Sequence, residues 1–401
     1  VRRLDRSYLA VQGPPGTGKT YVAARVIERL VRSGWHVGVV APSHAVVEHL
    51  LDKVVEAGVP AYRVGKKPQG SGEHTKAWTA IGDKKQGKFL GEHKDHGCVI
   101  GGTAWDFANA NKIGRRALDL LVVDEAGQFS LANTVAVSVA AENLLLLGDP
   151  QQLPQVSQGT HPEPVDGSAL GWVADGHDAL PADLGYFLER TWRLHPELCA
   201  PVSRLSYEGR LHSEEEATTA RRLDGVAPGV HVVEVEHRGN AVSSVEEATV
   251  VVGQVQGLLG RTWHDGDRER PLAPEDLLVV AAYNAQRALV ETHLRRAGIE
   301  GVKVGTVDKF QGQEAAVVLV TMAASSVEEV PRGMGFLLSR NRVNVAVSRG
   351  QWAAVIVRSP ALTDYVPTTP EALCELGAFI GLCASGGDSS TLGLATTPST
   401  L

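Results

Sequence analysis

The sequence predicts an α/β protein with two lobes, each a mainly parallel sheet flanked by helices. Segments of strand type alternate with segments of helical periodicity in both halves of the chain, which is typical of parallel sheets. The length of 401 residues exceeds what one hydrophobic core normally supports. Near the start of the chain, a glycine-rich loop joins a strand-type segment to a helical one, as in many open parallel sheets.

That loop carries the strongest single motif in the chain. Residues 12–20 read Q-G-P-P-G-T-G-K-T and fit the phosphate-loop pattern G-x-x-x-x-G-K-[ST], with a strand predicted at 8–11 and a helix at 21–31. Glycines allow the loop's amide groups to face a polyphosphate at the start of the helix. In such a loop, Lys19 neutralises the β and γ phosphates and Thr20 ligates Mg²⁺. The context disfavours the alternative, a turn that binds nothing. The predicted nucleotide-binding residues here are Gly13, Pro15, Gly16, Thr17, Gly18, Lys19 and Thr20.

Composition is that of an ordinary globular protein, with 43% hydrophobic and 21% charged residues. We expect a cytoplasmic protein without disulfides or a zinc site, because the sequence contains no signal peptide, no membrane-length apolar run and no C-x-x-C pair. The net charge of −7 argues weakly against a nucleic-acid partner, but residues 63–94 are locally basic, with Trp78 and Phe89 interleaved. Trp78 could stack on a base, although core packing is favoured. The chain begins at Val1, close to the first strand, so we expect a longer parent protein.

The first lobe follows from alternating strand and helix signals. Residues 60–97, rich in Gly and Lys, interrupt the alternation and are interpreted as an excursion from the core. Ser43 is placed to cap the helix at 45–55. The other strands predicted in this lobe are 37–41, 98–102, 118–123 and 144–147.

The strand at 118–123 ends in Asp124 and Glu125, at the edge where an open parallel sheet binds its ligands. Downstream of a phosphate loop, Asp124 would hold Mg²⁺ and Glu125 would polarise the water that attacks the γ phosphate. A bare Asp-Glu pair is usually a solvated turn, but the phosphate loop reverses that preference. Gln152, after the next strand, becomes a candidate sensor of the γ phosphate.

Residues 155–183 lack periodicity and are rich in Gly, Pro, Asp and His, so we place the boundary between lobes there. The predicted domains are lobe 1 at 1–183, lobe 2 at 184–366, and a C-terminal helix with a disordered tail at 367–401. Lobe 2 contains no phosphate loop, so we expect it to serve the nucleotide held by lobe 1. Its predicted strands are 230–235, 277–282, 302–306, 316–322 and 353–357, and its helices are 245–259 and 285–297; the C-terminal helix is predicted at 370–382.

Lobe 2 could supply arginines. An arginine placed across a domain boundary stabilises charge on a transferring phosphoryl group, although a surface salt bridge is the more frequent role of any single arginine. Arg193 stands near the start of the lobe. Arg342 and Arg349 are seven residues apart and are predicted on nearly the same helical face.

The chain resembles superfamily 1 DNA/RNA helicases, and within them the up-frameshift/Dna2-like branch, in eight motifs that follow the family's order. It is most similar to the helicase half of bacterial proteins in which a RecB-like nuclease precedes such a helicase. The resemblance covers residues 8–360 and implies two RecA-like lobes with an ATP cleft between them. The motifs are G-P-P-G-T-G-K-T, A-P-S-H-A-V-V, G-G-T-A-W, V-D-E-A-G-Q, G-D-P-Q-Q-L-P, T-W-R-L-H-P, T-V-D-K-F-Q-G-Q-E and N-V-A-V-S-R.

The resemblance also implies residue roles. Trp192 would stack on the adenine, Glu314 would lie near the ribose, and Gln286 would contact the nucleotide from lobe 2. The implied catalytic residues are Lys19, Asp124, Glu125, Gln152, Arg193 and Arg349, the last two as arginine fingers. The implied nucleic-acid-binding residues are Ser43, His44, Thr103, Thr306 and Asp308.

The function predicted from these residues is ATP- and Mg²⁺-dependent translocation of a monomer on single-stranded nucleic acid, DNA before RNA, and 5′ to 3′ by resemblance. Two alternatives remain open: a nucleotide-dependent switch or scaffold without unwinding activity, and a small-molecule kinase. The family's glutamine upstream of the phosphate loop has no counterpart here, so adenine preference has less support. The acidic residues of a nuclease are also absent, and we expect this chain not to cut nucleic acid.

Overall fold

The computed structural model describes residues 1–70, 75–155, 159, 161–310, 312–385 and 387–388. It divides the chain into two compact units, unit 1 (Val1–Leu188) and unit 2 (Glu189–Leu401). The large sheet in each unit is parallel and carries helices between its strands, which confirms the predicted fold class. None of the helices in the described ranges has the length and apolar character needed to span a membrane.

Unit 1 is built on one sheet of eight strands, in the spatial order β4-β3-β5-β2-β6-β7-β1-β8, once the strands are numbered along the chain. All pairs recorded in it are parallel. The strands are β1 Tyr8–Gln12, β2 His36–Val40, β3 Val64–Lys66, β4 Thr79–Ala80, β5 Cys98–Gly102, β6 Leu118–Val123, β7 Ala141–Gly148 and β8 Tyr186–Phe187. The helices are α1 Lys19–Arg32, α2 His44–Glu56, α3 Gln86–Glu92, α4 Ala104–Phe107, α5 Leu131–Ser138 and α6 Ala169–Ala174, with a 3₁₀ turn at Ala61–Arg63.

Both faces of this sheet are buried, which explains the nearly continuous apolar runs of its central strands. Successive side chains of β6 alternate between two hydrophobic clusters: Leu120 and Val122 pack with residues of α1 and α2, whereas Leu121 and Val123 pack with residues of α5 and α6. The strands and helices predicted for this lobe are confirmed, and Ser43 caps α2 by accepting a hydrogen bond from Val46 N at 3.3 Å.

The interpretation of residues 60–97 as an excursion from the core is wrong. The segment supplies β3 and β4, which extend the sheet beyond β5, and the short helix α3. Trp78 and Phe89 are buried, which confirms the core role favoured for Trp78. The many lysines obscured the pattern, because only a few apolar side chains in this segment form its contact with the core.

Unit 1 ends five residues beyond the predicted boundary at residue 183. The reason is β8, which pairs with β1 through Val11 opposite Tyr186 and Gln12 opposite Phe187. A Cβ atom on Gly185 would lie 2.4 Å from Ala10 O, so only glycine lets the chain approach β1 this closely. A strand of two residues is too short to produce a periodic signal.

Unit 2 contains a six-stranded parallel sheet in the order β16-β15-β17-β18-β12-β19, a three-stranded antiparallel sheet β11-β13-β14, and the pair β10-β9. The strands are β9 Arg190–Thr191, β10 His212–Ser213, β11 Arg221–Leu223, β12 Gly229–Glu234, β13 Thr262–Asp265, β14 Arg268–Pro271, β15 Leu277–Ala281, β16 Lys303–Thr306, β17 Ala315–Thr321, β18 Gly350–Arg358 and β19 Gly387–Asp388. The helices are α7 Pro196–Ser206, α8 Glu215–Thr219, α9 Val245–Leu258, α10 Asn284–Arg296, α11 Met334–Leu337, α12 Arg340–Val347 and α13 Pro370–Ala384. Short 3₁₀ turns lie at Pro274–Asp276, Val307–Phe310, Val327–Glu329 and Pro360–Thr363.

All the strands and helices predicted for the second lobe are confirmed within a few residues, and so is the predicted C-terminal helix, α13. Thr369 caps α13 by accepting from Ala372 N at 3.2 Å. This helix packs against α7 and α12, so it belongs to unit 2 and is not a separate segment. The predicted disordered tail beyond residue 388 lies outside the described residues.

Candidate functional site

The phosphate-loop motif forms the connection between β1 and α1. Gly16 and Gly18 have φ values of +75° and +76°, in the left-handed region that favours glycine. A Cβ atom on Gly13 would lie 2.2 Å from Lys19 Cγ, so glycine is required for the lysine side chain to fold back over the loop. Lys19 Nζ donates to Gly13 O, and Thr17 Oγ1 donates to Pro14 O at 2.8 Å. The loop is therefore a preformed concave turn with a cation at its centre.

Asp124 and Glu125 follow β6 at the same edge of the sheet. Asp124 is buried, its amide donates to Val40 O at 2.8 Å, and its Oδ1 accepts from Glu125 N at 3.0 Å. Burial, and then the negative charge of Glu125, raise the pKa of the Asp124 carboxyl to about 7, against the opposing hydrogen bond from Glu125 N and the charge of Lys19. The charged form of Asp124 thus lacks sufficient positive charge around it.

This shortage of positive charge is what a divalent cation would relieve. The carboxylate oxygens of Asp124 and the hydroxyl of Thr20 are hard oxygen donors, the kind that Mg²⁺ prefers. Magnesium sites for nucleotides commonly use one or two protein ligands and complete their coordination with phosphates and water. The residues present therefore fit the Mg²⁺ that the sequence predicts.

A buried polar network that the sequence did not predict lies beside the loop. Asp149 accepts from Gln12 Nε2 at 3.3 Å and from Gln152 Nε2 at 3.1 Å. Gln12 also donates to Asp178 O at 2.9 Å, and its Oε1 accepts from Leu180 N at 2.7 Å. Gln152, the predicted γ-phosphate sensor, is thus held by Asp149. The only sequence signal for Gln12 was a polar residue at the buried end of a strand.

Glycines bring these motifs into backbone contact. Gly13 N donates to Gly148 O at 2.9 Å. A Cβ atom on Gly127 would lie 2.4 Å from Asp149 O, and one on Gly148 would lie 2.5 Å from Gly127 N. The structure therefore brings the phosphate loop, the Asp124 turn and the Gln152 turn together at one edge of the unit 1 sheet.

The residues predicted to bind nucleic acid in lobe 1 lie farther along the same edge. Ser43 is exposed at the start of α2. His44 and Thr103 come from separate motifs, yet both line one cavity of about 310 Å³ at the ends of β3 and β5.

In unit 2, Arg193 and Arg349 lie close to one loop. Arg193 Nε donates to Glu314 Oε2 at 2.7 Å, and its Nη1 donates to Ser348 O at 3.2 Å. Arg349 is buried, donating from Nε to Val345 O at 2.9 Å and from Nη1 to Gln313 O at 3.3 Å. Both guanidinium groups are fixed by these contacts, and the neighbouring Trp192 is exposed.

The prediction that Arg342 and Arg349 share a helical face is wrong. Helix α12 ends at Val347, so Arg349 lies beyond it. Arg342 instead lies 4.2 Å from the Phe336 ring centre and 3.5 Å from Asp308 Oδ2. Asp308 is exposed, and Thr306 ends β16, so these two predicted nucleic-acid contacts lie at the carboxyl edge of the unit 2 sheet.

The structure does not place Gln286, which is predicted to contact the nucleotide, at a surface. Its side chain is fully buried in unit 2. Oε1 accepts from Ser244 N at 2.7 Å, and Nε2 donates to Thr321 Oγ1 at 2.8 Å and to Ser244 O at 3.3 Å. Its position in the first turn of α10 directs it toward the interior, which a motif comparison alone cannot show.

We expect Gln286→Ala to destabilise the protein without weakening nucleotide binding. The change removes three buried hydrogen bonds, and of their partner atoms Ser244 N loses its acceptor, whereas Ser244 O still accepts from Ala248 N and Thr321 Oγ1 still donates to Glu247; the free energy of unfolding should fall by about 2 kcal/mol. Urea unfolding and titration with a non-hydrolysable ATP analogue measure the two properties. Gln256→Ala, at an exposed position on α9, is the matched control and should change neither. A selective loss of nucleotide affinity in Gln286→Ala would support the predicted contact with the nucleotide.

Comparison with known proteins gives two matches of the same kind, one in each half of the chain. Two family models, each described as an AAA domain, match residues 3–165 and 179–360.

The chain is 25% identical over 382 residues to "DNA replication ATP-dependent helicase/nuclease DNA2" of Gallus gallus, an alignment that covers 93% of this chain and 36% of that protein. It is 25% identical over 409 residues to "Regulator of nonsense transcripts 1 homolog" of Drosophila melanogaster, which covers 89% of this chain and 33% of that protein. The chain therefore spans about a third of the length of these curated relatives. A solved Arterivirus nonstructural protein 10 (helicase) covers 92% of this chain and 61% of its own, at 15% identity and a TM-score of 0.47.

Proposed function

We propose that this protein hydrolyses ATP to move along single-stranded nucleic acid. The premise of the proposal is that the chain belongs to the superfamily 1 helicases, in their Dna2/UPF1-like branch. The observation that carries this proposal is the convergence of the phosphate loop, Asp124 with Glu125, and Gln152 at one edge of the unit 1 sheet. The names of the relatives, which include a helicase/nuclease and a regulator of nonsense transcripts, support nucleic acid as the substrate.

The residues of unit 1 have distinct roles in the proposed reaction. Lys19 lies folded over the loop and would move from Gly13 O to the β and γ phosphates of ATP. Thr20 and Asp124 would hold Mg²⁺, which when bound supplies positive charge to the phosphates. Glu125 would accept a proton from the attacking water. Its backbone φ of +54° is held at the sharp turn after β6.

We assign the completing positive charge to Arg193 and Arg349. Guanidinium groups that are fixed before the reaction stabilise developing phosphoryl charge without having to reorganise. The contacts of Arg193 with Glu314 and Ser348 O, and those of Arg349 with Val345 O and Gln313 O, supply such ordering. The exposed face of Trp192, next to Arg193, is suited to stacking on adenine.

The finer assignments are a monomer acting on DNA before RNA, with 5′ to 3′ polarity. The preference for DNA follows from the resemblance to helicases fused to nucleases, and the polarity from the resemblance to the family. Ser43, His44, Thr103, Thr306 and Asp308 are proposed to line the strand's path. Ser43, His44 and Thr103 lie at the carboxyl edge of the unit 1 sheet. Thr306 and Asp308 lie at the carboxyl edge of the unit 2 sheet.

The test is ATP hydrolysis measured without nucleic acid, with single-stranded DNA, and with single-stranded RNA. We expect a stimulation of about tenfold or more by DNA, because translocation couples each turnover to strand contacts. A rate that nucleic acid does not change, with strand binding retained, would identify a switch or scaffold. Phosphate transfer to a metabolite would identify a kinase. A strand with one biotin–streptavidin block, placed at either end, reports polarity.

A further inference from the structure

Trp105 is an exposed aromatic side chain that no step above uses. It is the most exposed of the chain's seven tryptophans, with 84% of its surface accessible. Its indole borders the cavity of about 310 Å³ that His44 and Thr103 also line. Tryptophan usually buries a large apolar area, and the exposed indole of Trp105 does not. Binding of a partner to this ring would remove that area from water and would therefore be favourable.

The backbone that carries Trp105 is firmly anchored. Asp106 Oδ2 accepts from Thr103 N at 2.9 Å and from Thr103 Oγ1 at 2.8 Å, which closes a capping box around Trp105. Asp106 Oδ1 accepts from Lys112 Nζ at 2.6 Å, and the next residue, Phe107, is fully buried in the core. The exposed ring therefore stands on a rigid turn, and a ligand that covered it would not have to order the backbone.

The charges around the cavity decide what kind of ligand it suits. Among the residues that the structure describes, three lysines line it, and each is paired with a carboxylate: Lys66 with Glu48 at 2.9 Å, Lys67 with Asp83 at 3.1 Å, and Lys112 with Asp106 at 2.6 Å. The described part of the cavity lining is therefore close to neutral. Such a site offers little to a phosphate group and more to a flat, uncharged aromatic ring, which is the surface that a nucleic-acid base presents.

We propose that Trp105 stacks on an unpaired base of the single-stranded nucleic acid as the strand passes the cavity between His44 and Thr103. The inference rests on the proposed function and deepens it, because it gives unit 1 a contact with bases and not only with the backbone. Stacking tolerates any base, so the contact fits a protein that moves along a strand regardless of its sequence.

The first test is tryptophan fluorescence of the full chain, without nucleotide, as an unlabelled single-stranded oligonucleotide is added. Stacking quenches the indole that takes part. We expect the quench to be largely lost in Trp105→Phe and retained in Trp172→Phe. Trp172 is the matched control because it lies in the same unit, on α6, and is also exposed, at 59%.

The second test is the affinity of Trp105→Ala for a labelled oligonucleotide at several salt concentrations. Loss of one stacked base should weaken binding about tenfold. Because no phosphate contact is lost, the slope of log affinity against log salt should stay that of the wild type, whereas loss of one phosphate contact would reduce it by about 0.7. Trp105→Phe should recover a large part of the affinity, since phenylalanine also stacks.

Two results would overturn the inference. One is wild-type affinity in Trp105→Ala together with an unchanged quench in Trp105→Phe; the other is an affinity loss that comes with a smaller salt slope, which would indicate lost phosphate contacts. If the wild-type chain shows strand-stimulated hydrolysis in either case, the proposed function stands and only the role of Trp105 falls. If the wild-type chain neither binds the strand nor responds to it, both fall together.

Discussion

Replacing Lys19 with alanine is expected to lower the rate of ATP hydrolysis by about 10³-fold. The ammonium group is the cation at the centre of the phosphate loop, and its loss removes charge from the point where the γ phosphate becomes more negative in the transition state. The ammonium group donates a hydrogen bond to Gly13 O of its own loop, so the fold should not depend on it. Steady-state hydrolysis and thermal unfolding of the same preparation measure the two properties.

The matched control for this variant is Lys88→Ala. Lys88 is an exposed lysine of unit 1, on α3, and its recorded partner is Glu92, one helical turn away at 3.5 Å. Such surface pairs contribute little to stability, so Lys88→Ala should hydrolyse ATP at the wild-type rate. Hydrolysis by Lys19→Ala at a rate similar to that of this control would show that the active site has been placed wrongly.

The sequence was sufficient for elements whose own residues decide their structure. Strand β6 consists of apolar residues packed on both faces, and its predicted bounds equal those observed. The phosphate loop was equally accessible, because its glycines and the following helix act locally. For both strand β6 and the phosphate loop, the residues that determine the local structure lie within the segment itself.

Elements defined by distant partners were not accessible in this way. Strand β8 has two residues and exists through its pairing with β1, more than 170 positions earlier. Strands β11, β13 and β14 are rich in charged residues, and their sheet is attached to the core of unit 2 through Leu223 and Trp263. Single-segment patterns cannot report such pairings.

The candidate site shows the same division. The types of residue that bind phosphate and magnesium follow from motif order, but the hydrogen bonds that hold them do not. Gln12 and Asp149 are 137 positions apart and were not singled out together. Gln286 carries the expected residue type at the expected place in its motif, yet tertiary packing directs its amide to Ser244 and Thr321. Side-chain direction is thus the information that the sequence lacked.

Replacing Arg193 with alanine is the second change expected to have a large effect. If this guanidinium stabilises the transferring phosphoryl group, kcat should fall by about 10³-fold while the affinity for ATP changes little, because the charge that it meets develops in the transition state. The contacts of Arg193 with Glu314 and Ser348 O hold its guanidinium in place. A fall in kcat would therefore report the loss of an ordered guanidinium group and not of a mobile surface side chain. Single-turnover hydrolysis at saturating ATP measures it.

Arg190→Ala is the matched control, since Arg190 lies three positions earlier, is exposed, and pairs with Glu214 at 3.1 Å. It should retain the wild-type kcat. Arg193→Lys separates charge from geometry: lysine keeps the positive charge but lacks the planar fork, so it should recover only part of the rate. A wild-type kcat in Arg193→Ala would assign Arg193 to the ion pair with Glu314 alone. The proposed hydrolytic role of the unit 2 arginines would then depend on Arg349, whose buried guanidinium is held by the main-chain oxygens of Val345, in α12, and Gln313.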